Sequence, residues 1–557
     1  MNSRYAWIVL VLLFIFVCDV ILKNISRNSQ ATSKQPPNIV VIMADDLGWN
    51  DVSFNGGDEI PTPNIDSLAY NGVILNRHYV LPICTPSRTA FFTGQYPIRS
   101  GMQGYPLQGA EPRSIPLNNI LLPQYLRKLG YATHLVGKWH VGYQTNNHTP
   151  TNRGFDTFLG YYSGYIEYFS HNLVENGQSG YDIHRSVGDN HTIEYRYDYM
   201  TDLITDEAEN IISSHNPAKP LYLQLAHLAP HASTVDDVIE VRSWKATNDT
   251  LGYIRDINRR KFASAVVTMD ESIGRVVDAL RRADMLKNSI IVFMSDNGAP
   301  TKDQILYNFG SNYPLRGMKQ SFFEGAVRGV ACIYSPLIDF PSRVSTQLFH
   351  ITDWLPTLYA AAGGDASDLK ALDGIDQWSM IKNADNGRRQ FLLVNINEKT
   401  DSKAALIGRY KLIRDQSEYT KYYGSTGKDP SYCEYNVTNV LASPVASAIA
   451  DISRSSLDID KIKQLREKSR VVCRVSRFSR CTKRTCLFDI KKDPCETTNV
   501  SSKYPKILKK LNALIDSYQS ILVNQTNKPV DPAGFPCNFN DTWMPWLPMD
   551  YLPAKSA

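Results

Sequence analysis

The chain has 557 residues, of which 43% are hydrophobic and 21% charged. That is the make-up of an ordinary globular protein, long enough for a sizeable core and two domains. Sixty basic against 55 acidic residues leave a net charge of +5. This excess is too small to argue for nucleic acid as a partner, although it is compatible with a polyanionic substrate.

In chain order, Met1–Tyr5 carries one positive charge, Arg4, and is followed by an unbroken apolar run, Ala6–Cys18. Asp19 interrupts the run before Val20–Leu22 extends it. The run is short for a membrane span, which needs about 20 residues, and it fits the apolar core of a secretory signal peptide. An uncleaved signal anchor is the alternative, and only in that form would the chain meet the membrane. Either form puts the remainder in the lumen of the secretory pathway, with lysosome and extracellular space both open. Residues 1–35 read as this targeting segment plus the start of a polar linker that ends in two prolines. Eight Asn-x-Ser/Thr sequons, from Asn24 to Asn540, agree with a glycoprotein.

Residues 36–390 read as an α/β domain. Asn38–Met43, Tyr131–Val136, Leu221–Ala226 and Ile290–Met294 are short apolar runs of the kind buried on both sheet faces. Pro63–Tyr70 and Leu121–Leu129 read as helices, and Val73–Val80 as a strand. Arg260–Ala283 has a long helical pattern with Val266, Val267, Ile273, Val276, Val277 and Leu280 recurring on one face. Strands alternating with helices predict a mixed, mostly parallel sheet flanked by helices. Residues 391–557 read as a smaller α+β domain. Phe391–Asn395, Ala404–Ile407 and Tyr410–Arg414 are short strands in succession, and a cysteine cluster follows. Cys433, Cys473, Cys481, Cys486, Cys495 and Cys537 read as disulfides in a secreted chain, with a zinc site as the weaker alternative.

Polar residues follow the buried strands. Asp45 and Asp46 come after the first, Lys138 and His140 after the second, His227 and His231 after the third, Asp296 and Asn297 after the fourth. In open α/β sheets, ligands bind beyond the carboxyl ends of the strands. Asp45, Asp46, Asp296 and Asn297 are hard oxygen donors suited to Ca²⁺ or Mg²⁺. The plain alternative for each pair is a helix cap or a turn. Cys84-Thr85-Pro86-Ser87-Arg88 places a cysteine just ahead of a helix start, where backbone N–H groups favour an anion. A buried or disulfide-bonded cysteine is the alternative.

The extended segment CTPSRTAFFTG resembles the sulfatase signature, in which the cysteine is oxidised to formylglycine. GYATHLVGKWHVG, TNRGFDTFLGY, PLRGMKQSFFEGAVRG and LFDIKKDPCETTNV resemble further segments of the same family, so that the likeness runs from about Asn38 to Val500. Among sulfatases the arylsulfatase B group, the N-acetylgalactosamine 4-sulfatases, is the most similar in appearance. The resemblance implies an alkaline-phosphatase-like fold, one Ca²⁺, and a formylglycine-generating enzyme as partner during biosynthesis. It implies Asp45, Asp46, Asp296, Asn297 and the modified Cys84 as metal ligands, and Arg88 and Lys138 as holders of the hydrated aldehyde. His140 is implied as the base that later takes a proton from it, and His231 with Lys319 as the pair that grips the sulfate and aids the leaving oxygen. One hydroxyl of the hydrated aldehyde would attack sulfur to give a covalent sulfo-enzyme, and the other would lose its proton to release sulfate. His227 competes with His231 for its role; the spacing from the strand and the A-P-H context favour His231.

Two departures bear on the substrate, a sulfated glycosaminoglycan such as N-acetylgalactosamine 4-sulfate or an aryl sulfate. Leu107–Ser114 lacks the cysteines of the arylsulfatase B group, and Ala232–Asn258 differs from its pattern. A phosphodiesterase or phosphonate hydrolase sharing the metal rim, or a non-catalytic binder of sulfated glycans, would be the rival functions.

Overall fold

The computed structural model describes residues 35–549 apart from 234–237, 302–306, 415–422, 428–434, 453–456, 474–477 and 482–484. The apolar N-terminal run, Asn24 and Cys433 lie outside the described residues.

The strands, in chain order, are β1 (Asn38–Ala44), β2 (Val73–Leu75), β3 (His78–Tyr79), β4 (Ala132–Lys138), β5 (Thr157–Tyr161), β6 (Asn172–Glu175), β7 (Gln178–Tyr181), β8 (His184–Val187) and β9 (Asn190–Ile193). They continue with β10 (Leu221–Ala226), β11 (Ser289–Ser295), β12 (Ala331–Tyr334), β13 (Arg343–Ser345), β14 (Phe349–His350), β15 (Phe391–Asn397), β16 (Ser402–Ile407), β17 (Tyr410–Arg414) and β18 (Thr485–Asp489). Ten of them form one mixed sheet in the order β13-β2-β12-β11-β1-β10-β4-β5-β8-β9. Its central five strands, β11-β1-β10-β4-β5, are all parallel.

The apolar runs are explained by burial on both faces. Val40, Ile42 and Ala44 of β1 and Ile291 and Phe293 of β11 join one core. The alternating Ile39, Val41, Met43, Ile290, Val292 and Met294 join the other, as the two-residue period of a strand requires. The first core is closed by the helices Pro63–Asn71, Met200–Ser214 and Ile257–Arg282, and the second by helices that include Cys84–Thr93 and Trp354–Ala361. The long helix starts at Asp256, whose carboxylate accepts from the N–H groups of Asn258 and Arg259.

Three details differ from the sequence reading. Val73–Val80 is two strands, because β2 joins the main sheet while β3 pairs with β14 in a separate ladder. The second buried strand runs on to Lys138, so this lysine ends the strand instead of following it. Cys84 is the first residue of its helix, not the residue before it.

The second sheet is an antiparallel meander, β15-β16-β17-β18. One face packs on Phe322, Phe323 and Val327, and the other on Leu511 and Ile515 of the helix Pro505–Gln519. Cys473–Cys495 and Cys481–Cys486 are disulfides, while Cys537 is exposed and has no disulfide partner among the described residues. Among the described residues no helix is long and apolar enough to cross a membrane.

Candidate active site

The parallel strands β11, β1, β10 and β4 are neighbours, so the residues at their carboxyl ends share one rim. Asp45 and Asp46 are adjacent in sequence, and on a continuing strand they would point to opposite faces. The chain instead leaves β1 in a left-handed conformation at Asp46, with φ 65°, which Asp tolerates better than most residues. The Asp46 N–H donates to Asp296 Oδ1 at 3.2 Å, and Asn297 Nδ2 donates to Asp46 Oδ1 at 2.6 Å. All four of these side chains are fully buried.

Three cations face these carboxylates. Lys138 Nζ lies 2.5 Å from Asp45 Oδ2, Lys319 Nζ lies 2.7 Å from Asp46 Oδ2, and Arg88 Nη2 lies 2.9 Å from Asp296 Oδ2. Burial works against the charges of Asp45 and Lys319, but the opposite charges around them prevail. Asp45 is held below the ordinary aspartate value by Lys138, His231 and Arg88, and Lys319 above the ordinary lysine value by Asp46, Cys84 and Asp45. Lys138 reaches the rim because Gly137 bends the strand end, with φ 103°, and a Cβ there would meet the Ala226 carbonyl oxygen at 2.0 Å.

Cys84 opens its helix from an extended Ile83, and Gly94 closes it in the left-handed region, where φ is 64°. Ser87 fastens the loop ahead of it, accepting from the Leu81 N–H at 3.0 Å and donating to the Leu81 carbonyl at 3.2 Å. The Cys84 thiol is buried, and burial pushes it up to about 11, so as a thiol it stays protonated at neutral pH.

His140 sits two residues past β4 with φ 53°. Its Nε2 donates to the Leu107 carbonyl at 2.9 Å, which leaves the lone pair of the neutral ring on Nδ1. Nδ1 is buried and has no hydrogen-bond partner among the described residues. Burial first, then Lys138, hold this ring well below the ordinary histidine value, so it is neutral. His231 Nδ1 donates to the Ala232 carbonyl at 2.5 Å, and its Nε2 lies 3.4 Å from both Lys319 Nζ and Asp46 Oδ2. His227 is buried with neither ring nitrogen hydrogen-bonded among the described residues, and burial lowers it to about 4.

The sulfatase family profile matches residues 37–364. Arylsulfatase J of Mus musculus is 34% identical over 530 residues, covering 93% of this chain and 82% of that protein. The chain belongs to the sulfatase family. N-acetylgalactosamine-6-sulfatase of Mus musculus is 32% identical over 367 residues, 62% of this sulfatase and 66% of that protein. The crystal structure of Ps i-CgsB in complex with k-i-k-neocarrahexaose superposes with a TM-score of 0.68 at 24% identity, covering 89% of this chain and 96% of that one. The fold is therefore that of sulfatases, and the chain is a sulfuric ester hydrolase. These relatives support the family as a whole and not the 4-sulfatase group specifically.

The donor set of this sulfatase fits a hard divalent cation. Asp45 Oδ1 and Asn297 Oδ1 are buried oxygens without a hydrogen-bond partner among the described residues, and buried polar atoms otherwise find one. One ligand atom each from Asp45, Asp46, Cys84 and His231 lie within 4.8 Å of one another. The sequence reading overlooked three supports of the site. Thr85 accepts from the Leu107 N–H at 3.0 Å and so holds the carbonyl that orients His140. Asn308 Nδ2 donates to the Asp46 and Pro230 carbonyls, both at 3.0 Å, tying two rim loops together. Tyr165 stacks on His231 at a centroid distance of 5.7 Å. Thr85 lies inside the CTPSR motif and was open to view; Asn308 and Tyr165 carry no local pattern.

Proposed function

We propose that this sulfatase hydrolyses sulfate esters of carbohydrates, with a glycosaminoglycan as leading substrate, using residue 84 as a formylglycine and one Ca²⁺. The observation that carries the reading is the meeting of Asp45, Asp46, Asp296 and Asn297 with Cys84, Arg88, Lys138, His140, His231 and Lys319 at one rim.

Asp45, Asp46, Asp296, Asn297 and residue 84 would hold the ion, whose charge polarises sulfate oxygens when bound. A formylglycine, when hydrated, supplies two hydroxyls on one carbon. Lys138 and Arg88 orient them and balance their charge. The Nδ1 lone pair of His140 is the site for a proton leaving one of these hydroxyls. Lys319 keeps its proton and lies against His231 Nε2, so the pair can bind a sulfate oxygen and deliver a proton to the leaving alcohol. Three carboxylates against three cations balance before any metal is counted. A divalent ion would leave the pocket positive, as an anionic ester requires.

The apolar N-terminus and the sequons support a secreted or lysosomal chain. Mass spectrometry of the peptide containing residue 84, from secreted material, tests the central claim. Formylglycine is expected there, together with turnover of p-nitrophenyl sulfate in preference to the matching phosphate esters. Unmodified Cys84 in material made with abundant converting enzyme would sink the mechanism, and a preference for phosphate esters would sink the reaction class.

A further inference from the structure

A cleft of about 520 Å³ opens beside the site, against Pro82, Ile83 and Gln320, next to Cys84 and Lys319. Its far wall is built by two elements distant in sequence, the β15–β16 hairpin and the segment Gln525–Lys528. A bulge in β15 between Leu393 and Asn395 shifts the register there, and Asn395 and Asn397 line the cleft. This wall carries two exposed lysines, Lys399 and Lys528.

Among the described residues, the carboxylates of this wall already accept hydrogen bonds or ion pairs from other groups. Glu111, the one carboxylate of the lining among the described residues, pairs with Arg113 at 2.6 Å and accepts the backbone N–H of Lys528 at 3.0 Å. Glu398, beside Lys399, accepts from the Gln525 backbone at 2.5 Å, from Gln525 Nε2 at 3.0 Å and from Gln103 Nε2 at 3.2 Å. Asp401 faces Lys403 at 3.5 Å and also Arg414. Among the described residues neither Lys399 nor Lys528 has a carboxylate partner. Both lysine ammonium groups are thus open to an incoming anion, although Glu398, whose partners are all neutral amides, offsets part of their charge.

We propose that Lys399 and Lys528 form a second anion subsite, which takes a carboxylate or a second sulfate on the sugar unit adjoining the one whose ester is cleaved. The inference rests on the sulfate-ester reading above and deepens it, since it makes the substrate an oligosaccharide with at least two anionic groups.

The test uses the full chain, converted at residue 84 and supplied with Ca²⁺. Three compounds are compared: a sulfated hexosamine, the same sugar linked to a uronic acid, and the same sugar linked to a second sulfated unit. In the Lys399→Ala/Lys528→Ala variant, the kcat/KM ratio of linked compound to monosaccharide should fall about tenfold, as two partly exposed ion pairs allow. The wild-type preference should also shrink with added salt, and Lys→Arg at both positions should keep it. Whichever linked compound loses its advantage identifies the anion. An unchanged ratio for both overturns the proposal and leaves the lysines as solvated surface charge. If the wild-type protein turns over no sulfate ester, the hydrolytic reading fails separately. The subsite is then decided by calorimetric affinity for the same compounds, where about tenfold weaker binding of a linked compound to the variant upholds it and equal affinity overturns it.

Discussion

The two sheets of this sulfatase differ in what their edges carry. In the ten-stranded sheet the central strands are parallel, so all their carboxyl ends fall on one rim, and β1, β4, β10 and β11 each deliver polar side chains to it directly or through the loop that follows. The four-stranded sheet is antiparallel, so its strand ends alternate between two edges. It instead supports the segment that follows Lys319. Lys411 of β17 lies buried between Glu324 and Glu496, at 2.9 and 3.0 Å. Glu324 accepts from the Tyr79 hydroxyl at 2.9 Å, and its own N–H donates to Glu496 at 2.7 Å. Parallel order concentrates chemistry at one end, and the antiparallel sheet acts as a brace.

The largest effect should come from the rim. Cys84→Ala should lower kcat by about 10⁴-fold or more, as loss of a nucleophile does, while thermal melts stay close to wild type because the site balances its own charges. Full turnover in this variant would place the nucleophile elsewhere.

The brace is probed by Lys411→Met. This change leaves the buried Glu496 without a countercharge and Glu324 with only the more distant Arg328, at 3.7 Å, and should cost about 3–5 kcal/mol in denaturant unfolding. Adding Glu324→Gln and Glu496→Gln should restore much of that, because the uncompensated charges go with them. If the single variant unfolds like wild type, the four-stranded sheet does not brace the Lys319 segment as argued.

The smallest effect separates the helices under the ten-stranded sheet from both. Burial pushes Asp66 and Asp270 up to about 7. Their folded values lie above the ordinary aspartate value near 4, so the folded state binds these protons more tightly. The resulting stability is complete below about pH 4 and is lost as pH rises through about 7. Between pH 7.5 and 5.5 each should add about 1–2 kcal/mol, seen as a rising melting midpoint. Asp66→Asn should flatten the slope, and a slope unchanged by this substitution would mean that Asp66 does not titrate in this range.

Much of the fold was legible because its cues are local. Asn38–Met43, Leu221–Ala226 and Ile290–Met294 are apolar on both faces, a pattern that short strands of a covered parallel sheet produce and few other elements do. The break in Val73–Val80 was not legible, because it depends on which strands β2 and β3 find as neighbours. No strand was read at β18, although its two faces join two different cores through Leu487 and Phe488.

The sequence by itself determined the parallel strands, the polar pairs near their ends, a helix start beside Cys84 and, through its motifs, the family. Those properties rest on periodicity, capping and spacing within a few residues. Tertiary structure decided which way each group faces. The left-handed turn at Asp46 brings two neighbouring carboxylates to one side, the Leu107 carbonyl chooses the tautomer of His140, and Lys319 meets Asp46 across 273 residues. The cleft wall with Lys399 and Lys528 likewise comes from a hairpin and a distant C-terminal segment. Such contacts are set by packing between remote segments, for which a single sequence holds no local sign.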